Sequence, residues 1–263
     1  MALATGRAWN HGINSKTLAI EASSLYLKRE TMTQISEQNS AQLQEHAEQI
    51  AFTRAKLAEM GRMLYERNLT DTAGGNLSCR VGELIVITPR YAGTSKRWQL
   101  TGEDVLVTDA ERNILLGNGQ NSRESNAHYA MHATFREYGS VVMHTHARNI
   151  LIFAVAGRAL PPILESTRKY GVTPVLNFAP AHGTGLAENI IASLRGREAL
   201  IKNAAAAAIA AWHGLFLMGK DMDTAFDSVE RLDTNAYILL QGMAAYGPSF
   251  VDERVAAIKA EIG

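Results

Sequence analysis

The stretch VVMHTHARN, residues 141–149, places two histidines two positions apart at the end of an apolar, β-branched run. On a strand, side chains alternate between faces, so residues i and i+2 point the same way. His144 and His146 would then offer two imidazole nitrogens to one point, a geometry suited to a divalent metal. Taken alone, the pair reads equally as two half-exposed strand histidines.

A third histidine, His213, stands in AAWHGLF, read as a second apolar strand that runs into a glycine. HxH plus one distant histidine gives three nitrogen donors, the usual protein share of a catalytic site that keeps an open coordination position. In isolation His213 reads as a packed core residue. Glu124, His128 and His132 recur every four residues, which aligns a carboxylate and two imidazoles along one helix face. For His132 the plain reading is a polar helix surface, and Glu124 also lies at a helix start, where a carboxylate is electrostatically favoured. GGNLS supplies Gly74 and Gly75 for close backbone approach, with Asn76 and Ser78 as donors. It is either a phosphate-holding turn or an ordinary entry into a strand. AGTSKR at 92–97, with Thr94 and Ser95, poses the same choice between an anion site and a solvated loop.

The chain of 263 residues is long enough to bury a substantial core. Its 26 basic and 26 acidic residues give no net charge, which argues against a nucleic-acid partner. A single cysteine, Cys79, excludes an intramolecular disulfide and points to a reducing cytoplasm. Beside Leu77 and Val81 it reads as a small strand residue. No apolar run approaches the ~20 residues of a bilayer span, and the N-terminus lacks the apolar core of a signal peptide. Neither a membrane nor secretion is expected.

Residues 1–40 are polar and read as a loosely held extension with a short helix at 16–29; residues 41–263 read as one mixed α/β domain. Ile50, Leu57, Met60, Met63 and Leu64 predict a helix ending near Asn68. Two short strands joined by VGE follow, then DVLVTD (104–109) as another strand. NSRESNAHYAMHATFREYG is helical, and ARNILIFAVAG is a helix stopped by Gly157. PPILESTRKYG is irregular, VTPVLNFAP a strand and GLAENIIASLRG a helix. The alanine run 204–211 suits either a helix or a tightly packed strand. DMDTAFDSVERLDTNAYILLQGM is a long amphipathic helix capped by Asp221 or Asp223, and VDERVAAIKAEIG closes the chain.

In this order the pieces resemble one family, the class II aldolase/adducin family. The likeness runs from about Ile50 to Gly242. It is carried by GNLS at Gly75–Ser78, ITP at Ile87–Pro89, DVLVTD and SxExxxH at Ser122–His128. VVMHTH at 141–146, GRALPP at 157–162, APAHGT at 179–184 and WHGLF at 212–216 complete it. The resemblance implies a single three-layer α/β/α domain around a central, mainly antiparallel sheet. It also implies a homotetramer with active sites at subunit boundaries, acting on a small sugar phosphate or related anion.

By motif position the resemblance makes His144, His146 and His213 ligands of Zn2+, or of another divalent ion such as Mn2+ or Co2+. Glu124 would be the acid/base, and Gly75, Asn76, Thr94, Ser95 and Ser122 would lie near the substrate phosphate. The activity so implied is reversible cleavage of a ketose 1-phosphate into dihydroxyacetone phosphate and an aldehyde. A neighbouring cation would depress the Glu124 pKa while proton transfer favours a raised one, and sequence does not decide between them. Two departures bear on the reaction. Arg123 replaces the second serine of the SSE that the sugar-phosphate aldolases carry; it is either an anion handle or a surface arginine. After GRALPP, where fuculose-phosphate aldolase has a tyrosine, this chain has Glu165, with Tyr170 five residues on. Either could act as a second acid/base, or the segment could be a solvent-facing loop. TPRYAG also departs from the usual TPSG or TPTG. Decarboxylation of a hydroxylated aromatic acid, or dehydration or epimerisation of a sugar phosphate, would use the same metal site. A non-catalytic, adducin-like scaffold is the alternative of another class.

Overall fold

A computed structural model describes residues 36–262 except residue 182, and its contacts divide the chain between Glu45 and His46. In the first unit residues 36–45 are helical. The helix expected at 16–29 and the histidine of APAHGT lie outside the described residues.

The second unit begins with helix α1 (Ala47–Glu66), followed by strands β1 (Asn76–Val81) and β2 (Leu84–Ile87) and the short helix α2 (Ala92–Lys96). Strands β3 (Leu106–Thr108) and β4 (Ile114–Leu116) precede helix α3 (Ser125–Thr134), strand β5 (Val141–Thr145) and helix α4 (Arg148–Ala156). Then come β6 (Val175–Leu176), α5 (Thr184–Leu194), α6 (Glu198–Asn203), the hairpin β7 (Ala205–Ala210) and β8 (Gly214–Gly219), and helices α7 (Met222–Tyr246) and α8 (Phe250–Ile262). Among the described residues the strands form one sheet in the order β4-β3-β2-β1-β5-β8-β7-β6. Each pairing is antiparallel except that of β6 with β7.

Helices cover both faces of the sheet, as the resemblance implies. On one face Val142, Phe216, Met218 and the even-numbered alanines of β7 pack against Met131 of α3, Phe135 just after it, and Leu186, Ile190 and Leu194 of α5. The alternate side chains, Ala205, Ala207, Ile209 and Leu217, are equally buried on the other side, where α7 lies over β5, β7 and β8. This double cover explains the alanine run. Alanine favours a helix in isolation, but a strand covered by helices on both faces is apolar along its whole length, and alanine meets that demand while the larger side chains of β8 fill the space beside it. Packing decides in favour of a strand.

Two local expectations hold and two are corrected. The long helix α7 is capped by Asp221, whose carboxylate accepts the Thr224 N–H at 2.8 Å. Helix α4 ends at Gly157, where φ is 62° and glycine avoids the Cβ penalty of the left-handed region. PPILESTRKYG is not wholly irregular, since Glu165–Tyr170 forms a 3-10 helix. His213 is not on a strand: it closes the three-residue turn 211–213 between β7 and β8.

Two buried polar residues of α7 fasten the segments around it. Asp233 Oδ1 accepts the backbone N–H groups of Asn149 and Ile150 at 3.0 and 3.2 Å. It thereby satisfies the open N-terminal turn of α4, whose own N-cap residue, Ala147, has no side chain to do so. Asn235 Oδ1 accepts from Ile163 N, Leu164 N and the Thr167 hydroxyl, while its amide donates to Pro161 O at 2.9 Å. Replacing Asp233 by alanine leaves buried donors unpaired and is expected to lower the unfolding free energy by about 2 kcal/mol. Asp221→Ala, at an exposed cap, is expected to lower it by about 1 kcal/mol. Urea denaturation of the two variants checks the order, and equal losses would contradict it.

Candidate metal centre and active site

The register of the central strands builds the site. Asn76, the first residue of β1, lies opposite His144 of β5, and His144 lies opposite Phe216 of β8. The His144 and Phe216 rings stack with centroids 4.1 Å apart and 9° between planes. His144 Nδ1 lies 3.0 Å from the Leu215 carbonyl, so it is the N–H donor and the lone pair sits on Nε2. His146 stands one residue beyond the end of β5, and the hairpin turn brings His213 beside it. The ligand nitrogens of His144, His146 and His213 all lie within 4.8 Å of one another. Gly214 makes room for this packing: a Cβ there would sit 2.6 Å from the Thr145 carbonyl oxygen and 3.0 Å from the His146 ring.

Glu124 meets the histidines from the start of α3. It occupies the N-cap position but forms no side-chain cap. Its carboxylate instead lies 2.8 Å from His213 Nε2 and 3.3 Å from His144 Nε2, and accepts the Asn76 amide at 2.7 Å. The Asn76 amide also donates to Ser122 Oγ at 3.0 Å. Burial pushes the Glu124 carboxyl up. The adjacent His144 and His213 imidazoles and the hydrogen bonds from His213 and Asn76 outweigh that, holding it below the usual carboxylate range. Burial drives His144 down to about 3 against the pull of Glu124, so its imidazole is neutral, the form that binds a metal.

The residues fit a divalent ion. His144 Nε2 and His146 Nε2 are buried without a hydrogen-bond partner, as is Asn76 Oδ1. Three imidazoles and one carboxylate are a donor set suited to zinc and its neighbours.

Above the histidines opens a cavity of about 240 Å³ lined by Gly74, Gly75, Asn76, Arg90, Thr94, Ser122, Arg123, Glu124, His146 and His213, among others. Gly75 adopts φ +95°, a conformation open to glycine, and a Cβ on it would lie 2.5 Å from Thr70 Oγ1. Thr94 lines the cavity, but its hydroxyl donates to Thr72 O at 2.9 Å. Ser95 is exposed on α2 and is not part of the lining. Neither Glu165, which is exposed, nor Tyr170, which is buried, lines the cavity. Sequence reading missed Arg90, which lines the cavity with its guanidinium 4.5 Å from the Tyr91 ring centroid. The only signal for it was the departure of TPRY from the TPSG pattern. Cys79 is inert, because burial pushes its thiol up to about 12.

His128 and His132 do not form a polar surface. Both are buried, and Ser78 Oγ lies between them, 2.6 Å from His128 Nδ1 and 2.8 Å from His132 Nε2. One hydroxyl can donate to one ring and accept from the other, which satisfies both contacts with neutral imidazoles.

Comparisons with known proteins agree with this architecture. Residues 55–240 match the sequence model of the family described as Class II Aldolase and Adducin N-terminal domain. An L-fuculose phosphate aldolase of Methanococcus maripaludis is 29% identical over 178 residues, which are 67% of this chain and 90% of that protein. A 3-oxo-tetronate 4-phosphate decarboxylase of Haemophilus influenzae is 29% identical over 196 residues, 71% of this chain and 87% of that one. Among solved structures, an L-fuculose 1-phosphate aldolase superposes with a TM-score of 0.65 at 24% identity, covering 74% of this chain and 88% of its own, a likeness of fold. Among the described residues no helix is long and apolar enough to cross a membrane.

The buried histidines behind the site generate a stability prediction. Burial holds His128 and His132 down at about 3, whereas an unfolded histidine takes up a proton near 6.5. Between these values the unfolded chain binds more protons, so stability falls as pH falls through that window. The urea midpoint of the metal-free protein is expected to drop steadily from about pH 7 towards pH 4. His132→Gln should flatten the slope by up to about 1.4 kcal/mol per pH unit. A midpoint independent of pH across that range would contradict the assignment.

Proposed function

Because this chain belongs to the class II aldolase and adducin N-terminal domain family, we propose that it is a divalent-metal lyase that reversibly cleaves a ketose 1-phosphate into dihydroxyacetone phosphate and an aldehyde. The observation that carries this reading is the convergence of two buried, unpartnered imidazole nitrogens with His213 and Glu124 on the floor of a polar cavity. A scaffold needs no such arrangement.

His144, His146 and His213 would hold Zn2+, or Mn2+ or Co2+. When bound, the ion would polarise the substrate carbonyl as a Lewis acid. Asn76 and Ser122 bind the substrate together with the backbone at Gly75, and Arg123 and Arg90 attract its phosphate. Thr94 and Ser95 have a smaller part, since one hydroxyl is turned to Thr72 and the other is outside the cavity. In cleavage the C4 hydroxyl loses its proton and the C3–C4 bond breaks, leaving aldehyde and enediolate. Glu124, ionised and held by Asn76, carries the proton that ends on C3. Within one chain neither Glu165 nor Tyr170 lines this cavity, and Tyr170 is buried in its own subunit, so of the pair Glu165, which is exposed, is the one able to serve as a second acid/base from a neighbouring copy. A homotetramer with sites at subunit boundaries accords with the exposed Phe178–Trp212 pair next to His213, whose ring centroids are 5.1 Å apart. A cytoplasmic location accords with the lone, buried Cys79.

A second reading, decarboxylation at the same centre, is favoured by one specific feature. Arginines at 90 and 123 line the cavity, and a bidentate guanidinium suits a carboxylate as well as a phosphate.

The test is to incubate the zinc-loaded protein with dihydroxyacetone phosphate in heavy water and follow the C3 proton signal by NMR. Stereospecific loss of that signal is expected, and Glu124→Gln should abolish it. His144→Ala and His213→Ala should each abolish it while leaving the fold intact. Undiminished exchange in both histidine variants would sink the metal assignment. Carbon dioxide release from a carboxylated sugar phosphate, without exchange, would select the second reading.

A further inference from the structure

Asp71 lies in the loop between α1 and β1. Its two carboxylate oxygens each lie 3.2 Å from His146 Nδ1. The carboxylate is itself fixed: Oδ1 accepts the N–H groups of Ala73 and Gly74 at 2.8 and 3.0 Å. The Asp71 carbonyl accepts the indole N–H of buried Trp98 at 2.8 Å. The His146 ring lies directly on Gly74, where a Cβ would come within 2.1 Å of Cε1. One tight turn therefore supplies both the surface on which the ring rests and the acceptor that faces its outer nitrogen.

We propose that Asp71 is a positioning residue for His146. It holds the imidazole in the tautomer with the proton on Nδ1 and turns the Nε2 lone pair towards His144 and His213. This rests on the metal-lyase reading given above. The inward nitrogen fits that role, being buried and without a hydrogen-bond partner. The two strand-end histidines are oriented by unequal acceptors: His144 by the Leu215 carbonyl, His146 by a carboxylate. A charged acceptor raises the basicity of the opposite nitrogen, and partners of this kind typically change metal affinity by about 10- to 100-fold. The Asp71 side chain is 46% exposed, and solvent screening places its effect at the lower end of that range.

The decisive variant is Asp71→Asn. Asparagine keeps an acceptor for the Ala73 and Gly74 N–H groups and so keeps the turn, but it removes the charge. The metal-stripped full-length protein would be titrated with zinc in competition with a chelating indicator, for wild type, Asp71→Asn and Asp71→Ala. In parallel, nitrogen-15 NMR of the imidazoles in the metal-free protein reads the His146 tautomer. Expected are roughly tenfold weaker zinc binding in Asp71→Asn, a larger loss in Asp71→Ala, and a single Nδ1–H tautomer in wild type that becomes mixed in Asp71→Ala. Wild-type affinity in Asp71→Asn would overturn the proposal and leave the metal reading standing, even if Asp71→Ala were weakened through its lost turn. Failure of the wild type to bind zinc would overturn both.

Discussion

The structure depends on the pairing of β1 with β5 and of β5 with β8 at the centre of the sheet. That pairing sets Asn76 against His144 and His144 against Phe216. Ring stacking and the Leu215 carbonyl then leave His144 one orientation, with one nitrogen facing the cavity. Glu124 follows, because its carboxylate is held by the Asn76 amide and by the imidazoles rather than by its own helix. A slip of one residue between β1 and β5 would carry Asn76 and Ser78 to the opposite face. The irregular pairing of β3 with β4, near the sheet edge, has no such consequence.

Much of this could be read from the chain. The helices announced themselves by period, and the capping aspartate and terminal glycine marked two of their ends. The three histidines and Glu124 were found because they fall in short motifs whose order is informative. What stayed hidden was formed by contacts between distant segments. Asp71 is 75 residues from the ring it faces, and Asp233 is 84 residues from the helix turn it satisfies. Neither belongs to a local pattern. His132 looked like a surface residue since a four-residue period gives the face of a helix but not what covers that face. Ser78, 54 residues away, covers it. His213 was placed on a strand because apolar residues flank it, yet an apolar run does not show where a hairpin turns.

The buried polar groups divide into two kinds. Those on α7 are satisfied: Asp233 and Asn235 accept from six hydrogen-bond donors between them, and these join α7 to α4 and to the 161–167 segment. Those on β1, α3, β5 and the residue just after it retain open positions, among them Asn76 Oδ1, His128 Nε2, His144 Nε2 and His146 Nε2. Native interiors seldom leave such atoms unpaired, and those of Asn76, His144 and His146, gathered around Glu124 and the cavity, mark where stability gives way to chemistry.

The hairpin that carries His213 also acts as a ruler. Its two strands run six residues each from the far end of the sheet to a three-residue turn, and the histidine stands at the tip. A strand can lengthen without reversing its faces only by two residues at a time, which would move the tip by about 6.8 Å. No step that small in sequence is small enough in space to keep three nitrogens together. β7 can therefore be nearly all alanine, with little individuality in its side chains, while its length admits no drift. In this hairpin the count of residues, as much as their identity, sets where the third imidazole stands.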